Sequence, residues 1–438
     1  MTTTSTGGRL RFTRALRSPA FALLWSGQTI SALGDGAFFI ALAWQILVLT
    51  RSGTAMGIVL VAQSIPRLLF LLLGGVAADR IPRRLVMLWS DGGRALLVGA
   101  IAALGWFGLL QFWVLVVLAL CFGLADAFFL PAFQSIPPLL VETEALTSAN
   151  ALTSLSQELS ILLGPALGAA LVAISGASGA FAFDSLTFLI SALCLLALRM
   201  PEKSAALTQR SMAAEGGPSG GVQSTEGTES TPRAGGLLAD VREGLSYVMA
   251  SPWLWVTILL ASLANVGLAP LQVALPKLVA DVYHSGVWLI GGVFSASAIG
   301  SVSATLTLGQ AKRLHHRGIV AYLGTITASV ALLGIGLPFP QTIAPAIALV
   351  MGALVGAGLG VFSIIWVTVL QEMIPADKLG RVTSLDWLGS LALQPVGLAV
   401  VGVLTDRLGP QWVFIGGGGL NLVLALLAFT VRGIRTLD

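Results

Sequence analysis

Charged residues are scarce in this chain of 438 residues. Asp, Glu, Lys and Arg together make up only 10% of it, whereas hydrophobic residues make up 56% and the mean hydropathy is +0.90. Soluble domains are usually about a quarter charged. So few charges cannot cover the surface of a water-soluble globule of this length. The composition therefore excludes a soluble protein and indicates that most of the surface faces lipid.

Cysteine is nearly absent, and so are clusters of residues that carry chemistry. The two cysteines, Cys121 and Cys194, both lie inside apolar runs, which excludes a disulfide framework and a cysteine-based metal site. No concentrated set of His and Asp residues marks a catalytic centre. The sequence also lacks the Gly-x-x-x-x-Gly-Lys-Ser/Thr stretch that binds nucleoside triphosphates. We therefore expect no metal, no cofactor and no enzymatic activity.

Long apolar runs fill the chain instead. A helix needs about 20 apolar residues to cross the hydrocarbon core, and runs this long do not suit the alternating strands of a membrane barrel. The sequence predicts an all-α integral membrane protein with twelve transmembrane helices, numbered span 1 to span 12. Their expected ranges are 20–49, 55–78, 85–109, 112–140, 148–173, 178–199, 252–280, 286–310, 318–337, 342–373, 380–404 and 411–432.

A polar stretch divides the twelve spans into two sets of six. Its Gly-, Ser-, Thr- and Glu-rich part predicts a flexible linker. A short amphipathic helix over 240–250 is expected to follow it and to lie on the membrane surface. Weak self-similarity between the halves indicates two pseudo-symmetric bundles that rock about a site near the bilayer midplane. The expected division is a tail over 1–19, a six-helix bundle over 20–199, the linker region 200–251, a second bundle over 252–433 and a tail over 434–438.

Basic residues are unevenly distributed between the two sides of the predicted membrane. One side receives both termini, the loops after spans 2, 8 and 10, and the long linker, all of which contain Lys or Arg; the other side holds only Arg51, Lys277 and Arg407. The positive-inside rule therefore places the first side, with both termini, in the cytoplasm. The basic residues behind the net charge of +4 therefore set the membrane topology. No nucleic-acid partner is expected.

The loop after span 2 carries a recognisable pattern, Gly75-Val-Ala-Ala-Asp79-Arg80-Ile-Pro-Arg83-Arg84. It resembles the signature Gly-x-Leu-Ala-Asp-Arg-x-Gly-Arg-Arg of the major facilitator superfamily, with two positions departing from it. A partial copy, Gly402-Val-Leu-Thr-Asp406-Arg407-Leu-Gly409, follows span 11. The resemblance covers nearly the whole chain. It implies the major facilitator fold, a monomer, and a role for the first loop as a conformational latch between the halves; a simple positive-inside anchor is the alternative.

Further stretches narrow the resemblance. They are Ser31-Ala-Leu-Gly34-Asp35 in span 1, Asp91-Gly-Gly-Arg94 in span 3 and Gly164-Pro165-Ala-Leu-Gly168 in span 5. Together they resemble the branch that contains the enterobactin exporter and the macrolide-efflux proteins. This implies proton-coupled export of a drug-like or siderophore-like amphiphile through a bacterial inner membrane. The Gly-Pro pair resembles the helix-bend motif of antiporters, although its upstream glycines are missing. Import or facilitated diffusion of a small molecule on the same fold is the alternative.

Four ionisable residues are predicted near mid-depth in the membrane: Asp35, Arg67, Asp126 and Glu158. An ionised side chain there costs at least about 2.5–3.5 kcal/mol, so such residues are functional candidates. A buried carboxyl group can hold a proton at neutral pH and release it when its site changes exposure. We expect Asp35 to lead proton coupling, with Asp126 second and Glu158 third. Arg67 is the expected counter-charge of Asp35, either as a switching partner or as a permanent ion pair.

Asp91 and Arg94 lie three residues apart, on one face of the predicted span 3. We expect a self-neutralising structural pair, with a role in coupling as the alternative. The resemblance implies a substrate cavity among spans 1, 4, 7 and 10, and pockets for bulky ligands are mostly apolar with a few placed polar groups. The candidates that fit this description are Trp44, Gln45, Phe129, Asn265, Gln272, Trp366 and Gln371.

Overall fold

The structure is a computed structural model that describes residues 13–199, 237–310 and 315–435. Within these ranges, eleven helical segments are long and apolar enough to cross a membrane. The longest, Thr143–Ala197, supplies two spans, because its helix is interrupted at Gly176, where φ is 72° and ψ is 175°. Residues with a Cβ rarely adopt such a positive φ. The prediction of an all-α fold with twelve spans is therefore confirmed.

The first half contains spans 1 to 6. Span 1 is Pro19–Thr50, span 2 is Gly53–Arg80, span 3 is Arg83–Trp106, span 4 is Phe112–Gln134, and the helix Leu146–Ala197 holds span 5 before Gly176 and span 6 after it. Span 4 was expected to run to residue 140. It ends earlier because two prolines open a separate short helix, Pro137–Leu140, and proline cannot donate the hydrogen bond that continues a helix.

The second half contains spans 7 to 12. Span 7 is Pro252–Leu268, continued by the short helices Pro270–Val273 and Leu275–Lys277 and the π-helical turn Leu278–Val282. Span 8 is Val287–Gly309, span 9 is Arg317–Ile335 and span 10 is Ala344–Met373. Span 11 consists of two helices, Ala376–Leu391 and Gln394–Leu408, and span 12 is Pro410–Ala428. Spans 7 and 11 are each interrupted beside a proline, Pro270 and Pro395. These breaks replace the continuous helices that the apolar runs predicted.

A shorter helix precedes span 7 and runs over Leu237–Ala250, where an amphipathic helix was predicted. Its Val248 is buried together with Leu254 and Leu370, and its Gly244 lies against Arg381 of span 11. The apolar side of this helix therefore packs on the second bundle. The predicted flexible linker, the Gly-, Ser-, Thr- and Glu-rich stretch over 211–236, lies outside the described residues.

Small residues bring spans of each half into close contact. Gly164 of span 5 faces Gly36 of span 1, and Gly168 faces Ala37; a Cβ added at either of these span 5 glycines would lie 2.7 Å from a main-chain carbon. Gly352 and Gly356 of span 10 lie in the same way against the main chain of span 8. Lipid provides no hydrophobic drive for helix association, so such close approach is how membrane helices gain packing energy.

The two halves meet at one end of the bundle, which we call the closed end and which is marked by Ser52 and Asp406. Asp406 of span 11 accepts hydrogen bonds from the Ser52 hydroxyl at 2.5 Å and from the main-chain N–H groups of Gly53 and Thr54 at 2.8 and 2.9 Å. Lys277 of span 7 adds an ion pair of 2.6 Å. A helix N-terminus has unpaired N–H groups and partial positive charge, so a carboxylate stabilises the start of span 2.

Span 5 continues the contact between the halves toward mid-depth. The Ser295 hydroxyl of span 8 donates to the main-chain oxygen of Leu162 at 2.9 Å, and Gly291 lies against Pro165. Glu158 and Leu155 precede Leu162 by four and seven residues, so they lie on the same face of span 5 as Leu162. Both residues are exposed. The halves therefore part beyond Leu162, toward the opposite end, which carries Arg80, Arg83 and Arg84 and which we call the arginine end.

Candidate functional site

Four charged residues of spans 2, 3 and 4 form a continuous network. Arg67 Nε lies 3.2 Å from Asp126 Oδ2, and Arg94 Nη1 lies 3.4 Å from Asp126 Oδ1. Arg94 Nη2 lies 2.5 Å from Asp91 Oδ1. The Asp126 carboxylate therefore bridges two arginines that come from different spans. We call Arg67, Asp91, Arg94 and Asp126 the charge network.

The Arg94 end of the network is fully enclosed. The Arg94 guanidinium is centred 4.3 Å from the ring centre of Phe129 and 4.4 Å from that of Phe188, and aromatic faces attract cations. Asp91 accepts further hydrogen bonds from Ser191 at 2.6 Å and from Gln28 at 3.3 Å. A buried ion pair offsets its lost hydration only when such additional partners are present. The expected pairing of Asp91 with Arg94 is therefore present.

Two expected relationships differ from the structure. Arg67 pairs with Asp126, so its expected pair with Asp35 is not formed in this conformation. The Asp91–Arg94 pair, expected as a separate unit, joins the network through the contact of Arg94 with Asp126. The sequence places residues at a depth along each helix. It does not give the rotation of one helix against another, and that rotation selects the partner.

Asp35 faces open space beside this network. It is half-buried and lines a cavity of about 210 Å³ between spans 1, 4 and 5, with Gln28, Phe129 and Gln157 among its neighbours in the wall. Arg94 and the other network residues lie within electrostatic range of it. In the described part of the chain, Asp35 forms no ion pair. It is therefore a mid-depth carboxyl group that borders a cavity and senses fixed charges.

The second half has a cavity of comparable size and different chemistry. This cavity, of about 230 Å³, lies between spans 7, 8, 10 and 11, and its polar wall consists of Asn265, Gln272, Ser297 and Gln394. The Asn265 amide donates to the main-chain oxygen of Ser390 at 2.9 Å. The residues that line this cavity include no ionisable group. It therefore offers neutral hydrogen-bonding groups, two of which, Asn265 and Gln272, were candidates from the sequence.

The remaining cavity candidates lie elsewhere. Trp44 packs against the apolar core, and Gln45 is half-buried beside it in the chain. The Trp366 indole donates to Asp386 Oδ2 at 3.0 Å, and Gln371 is exposed. None of these four lines either of the two cavities.

Two functional candidates in span 11 were not selected from the sequence. Asp386 is 8% exposed and accepts the Trp366 hydrogen bond described above; its only sequence signal is a carboxylate within an apolar span. Asp406 had a stronger signal, because it occupies the aspartate position in the partial copy of the loop signature. That copy lies at the closed end, where Asp406 joins the halves.

The loop after span 2 makes its described contacts within the first half. Arg83 Nη1 donates to the main-chain oxygen of Ser135 at 3.0 Å, and Arg84 donates to the main-chain oxygens of Leu195 and Leu196, both at 2.6 Å. Arg80 is exposed, whereas the side chain of Asp79 lies outside the described residues. These contacts tie the start of span 3 to the ends of spans 4 and 6. A latch between the halves that involves Gly75, Asp79 and the arginines stays a prediction.

The chain forms two six-helix bundles that meet at one end. Each bundle has a cavity, and ionisable residues lie at mid-depth. These features together are those of a multi-pass membrane transporter. The model of the Major Facilitator Superfamily matches residues 24–391, and the chain belongs to this superfamily. The family resemblance seen in the sequence is therefore confirmed.

Known proteins of the family also match along almost their whole length. The chain is 24% identical to macrolide efflux protein A of Streptococcus pyogenes over 422 residues, which is 95% of this chain and 97% of that protein. It is 26% identical to the enterobactin exporter EntS of Salmonella typhimurium over 427 residues, which is 95% of this chain and 93% of that protein. Among solved structures, a bacterial homolog of the human lysosomal transporter Spinster, inward-facing and unoccupied, matches with a TM-score of 0.72, 15% identity and coverage of 96% and 97%. That likeness shows the shared fold.

Proposed function

We propose that this protein exports small amphiphilic molecules, drug-like or siderophore-like, by alternating access coupled to proton antiport. The observation that carries the proposal is the placement of Asp35, a mid-depth carboxyl group without an ion pair in the described residues, at the wall of a cavity and beside fixed arginine charges. The efflux names of its relatives support the direction of transport.

The orientation follows from the basic residues. If the arginine end faces the cytoplasm, as the positive-inside rule requires, both termini are cytoplasmic and the protein spans a bacterial inner membrane. The closed end then faces outward, and this conformation is open to the cytoplasm. A substrate would enter between the halves from the cytoplasm, on the side where Glu158 is exposed.

Proton coupling rests on Asp35 in this account. In the outward-open state Asp35 takes a proton from the external side, and in the conformation seen here it releases that proton toward the cytoplasm. An ionised Asp35 beside the cavity then favours the substrate-loaded return. Asp126, held by Arg67 and Arg94, responds to the charge of Asp35, and Glu158 is a further carboxyl group in the cleft. Asp79, Arg80 and Arg84 would latch the arginine end when it closes.

The two cavities suggest the chemistry of the substrate. Both have mostly apolar walls; the first adds a carboxyl group and aromatic faces, and the second adds three side-chain amides. A ligand that bridges them would have an apolar body with hydrogen-bonding groups at more than one end. A monomer with one such bipartite site is sufficient for transport.

Inverted membrane vesicles test the proposal. Vesicles with an acidic lumen would receive a panel of dyes, macrolides and catecholate siderophores, while accumulation and lumenal pH are followed. We expect accumulation of at least one compound, together with proton loss from the lumen. Accumulation without proton movement would support a facilitator or another coupling ion. Gradient-driven uptake only by right-side-out vesicles would support import, the alternative function on this fold.

A further inference from the structure

A second carboxyl group lies buried beside Asp35 and takes no part in the mechanism above. Asp184 of span 6 is 0% exposed. The Thr187 hydroxyl donates to the Asp184 main-chain oxygen at 2.7 Å and lies 3.2 Å from Asp184 Oδ1. The other carboxyl oxygen, Oδ2, has no hydrogen-bond partner within the described residues. The Asp184 carboxylate lies against Gly34, the neighbour of Asp35 in span 1, so closely that a Cβ on Gly34 would overlap it. Asp184 is therefore at nearly the same depth as Asp35.

The surroundings of Asp184 include charged groups from two other spans. Asp35 of span 1 and Arg94 of span 3 lie within electrostatic range of it. Arg94 is already in contact with Asp91 of span 3 and Asp126 of span 4. In the described part of the chain, no basic side chain forms an ion pair with Asp184. It is thus a buried carboxyl group in range of one other carboxyl group, Asp35, and of a guanidinium, Arg94, that already contacts two other carboxylates.

The charge balance of this region decides its protonation. Arg67 and Arg94 stay charged, because guanidinium groups do not lose their proton in proteins. Asp91 and Asp126 are in contact with them and balance their two charges. Asp35 and Asp184 remain. If both were ionised, the interior of the first half would hold two uncompensated negative charges, which a low-dielectric environment strongly disfavours. Neutrality is reached when both residues carry a proton.

We propose that Asp184 is a second proton-binding residue, coupled to Asp35, so that this region binds two protons instead of one. The coupling part of the proposal rests on the proposed function. Asp184 lines none of the described cavities, so its proton leaves through Asp35. Asp35 first releases its own proton to water in the cavity, after which the O–H bond of Asp184 breaks and an O–H bond forms on the Asp35 carboxylate. Like charges disfavour ionisation of both groups together, so the two losses are sequential.

Infrared spectroscopy of the full chain in lipid nanodiscs tests this assignment without a substrate. Protonated carboxyl groups give a C=O stretching band that disappears on ionisation. The wild type, Asp184→Asn and Asp35→Asn would be titrated from acidic to alkaline buffer. Asp281→Asn, at an exposed carboxyl group, is the matched control. Alkaline titration of the wild type should remove two bands of buried carboxyl groups in sequence.

The variants assign these bands. Asp184→Asn should lack the band that disappears later. Asp35→Asn should lack the band that disappears earlier and should change the pH at which the Asp184 band disappears. Asp281→Asn should keep both bands. A spectrum of Asp184→Asn that matches the wild type at every pH would overturn the proposal, as would an Asp184 band that never titrates while the protein stays folded. Should Asp184→Asn not fold, a single titrating band in the wild type would overturn it equally. Loss of the Asp184 band with no titrating band from Asp35 would instead contradict the proposed role of Asp35.

Discussion

Arg67 Nε lies 3.2 Å from Asp126 Oδ2, so an arginine of span 2 is paired with the carboxylate of span 4 that also contacts Arg94. The pair is asymmetric, because the Arg67 side chain is 57% exposed and that of Asp126 is 20% exposed. Arg67 therefore approaches the network from open space. The buried side of the network is provided by Arg94, whose side chain does not face the space between the two halves.

Replacing Arg67 should separate stability from transport. Because exposed ion pairs contribute little, Arg67→Gln is expected to lower the free energy of unfolding by no more than about 1 kcal/mol. Export should fall at least about tenfold, because Asp126 loses one of its two counter-charges and the response of the network to Asp35 changes. Arg67→Lys should keep part of the activity. Thermal unfolding of purified protein and transport in vesicles measure the two effects, and an Arg67→Gln variant with wild-type export would contradict the role given to this pair.

Replacing Asp91 should, unlike replacing Arg67, mainly reduce stability. Asp91→Ala removes the close partner of a guanidinium that is 2% exposed, and breaking a buried pair from one side costs about 3–5 kcal/mol. We expect a large fall in the thermal midpoint and in the yield of folded protein. The double substitution Asp91→Asn with Arg94→Met should cost less than the sum of Asp91→Asn alone and Arg94→Met alone, because it leaves no unpaired charge. Additive losses would show that the two residues act independently.

The sequence was sufficient to predict the transmembrane spans, but it was insufficient to predict which side chains contact each other between them. Apolar run lengths predicted twelve spans, and the polar stretch after span 6 predicted two halves, because both depend on local composition. A permanent pair of Arg67 with Asp35 is absent from this conformation, in which Arg67 contacts Asp126, whereas a switching pair stays a prediction. Asp35 and Asp126 both lie near the depth of Arg67, and only helix rotation distinguishes them. Asn265 and Gln272 line a cavity as expected, whereas Trp366 faces Asp386. Their contacts depend on tertiary packing, which a single sequence does not contain.

The closed end should open more readily when Asp406 is removed. Spin labels at positions 51 and 407, which are exposed on the two halves, would report their separation in a cysteine-free background. Asp406→Ala is expected to increase the population with a long distance, because the start of span 2 loses its carboxylate cap. Lys277→Gln is the matched control, since it removes an ion pair within the second half and leaves the cap on span 2 in place. Equal distance distributions in Asp406→Ala and the wild type would refute a holding role for this residue.

Close packing of span 5 on span 1 should tolerate no added side chain at Gly164. A Cβ there would lie 2.7 Å from the main chain of Gly36, so Gly164→Leu is expected to abolish or severely reduce folded protein. Gly416→Leu is the control, because no atom lies within 4 Å of a Cβ at that exposed helical position. Gel filtration of detergent-solubilised protein compares the two. A monodisperse Gly164→Leu protein at wild-type yield would show that the spans can separate at this crossing.

The central claim is that Asp35 carries the transported proton, and a comparison of Asp35→Asn with the wild type in inverted vesicles tests it most directly. The amide keeps the size of the side chain and removes its ability to exchange a proton. With a compound that the wild type accumulates, the account predicts normal membrane insertion of Asp35→Asn, loss of gradient-driven accumulation and no substrate-triggered proton loss from the lumen. Accumulation and proton movement equal to those of the wild type would contradict it.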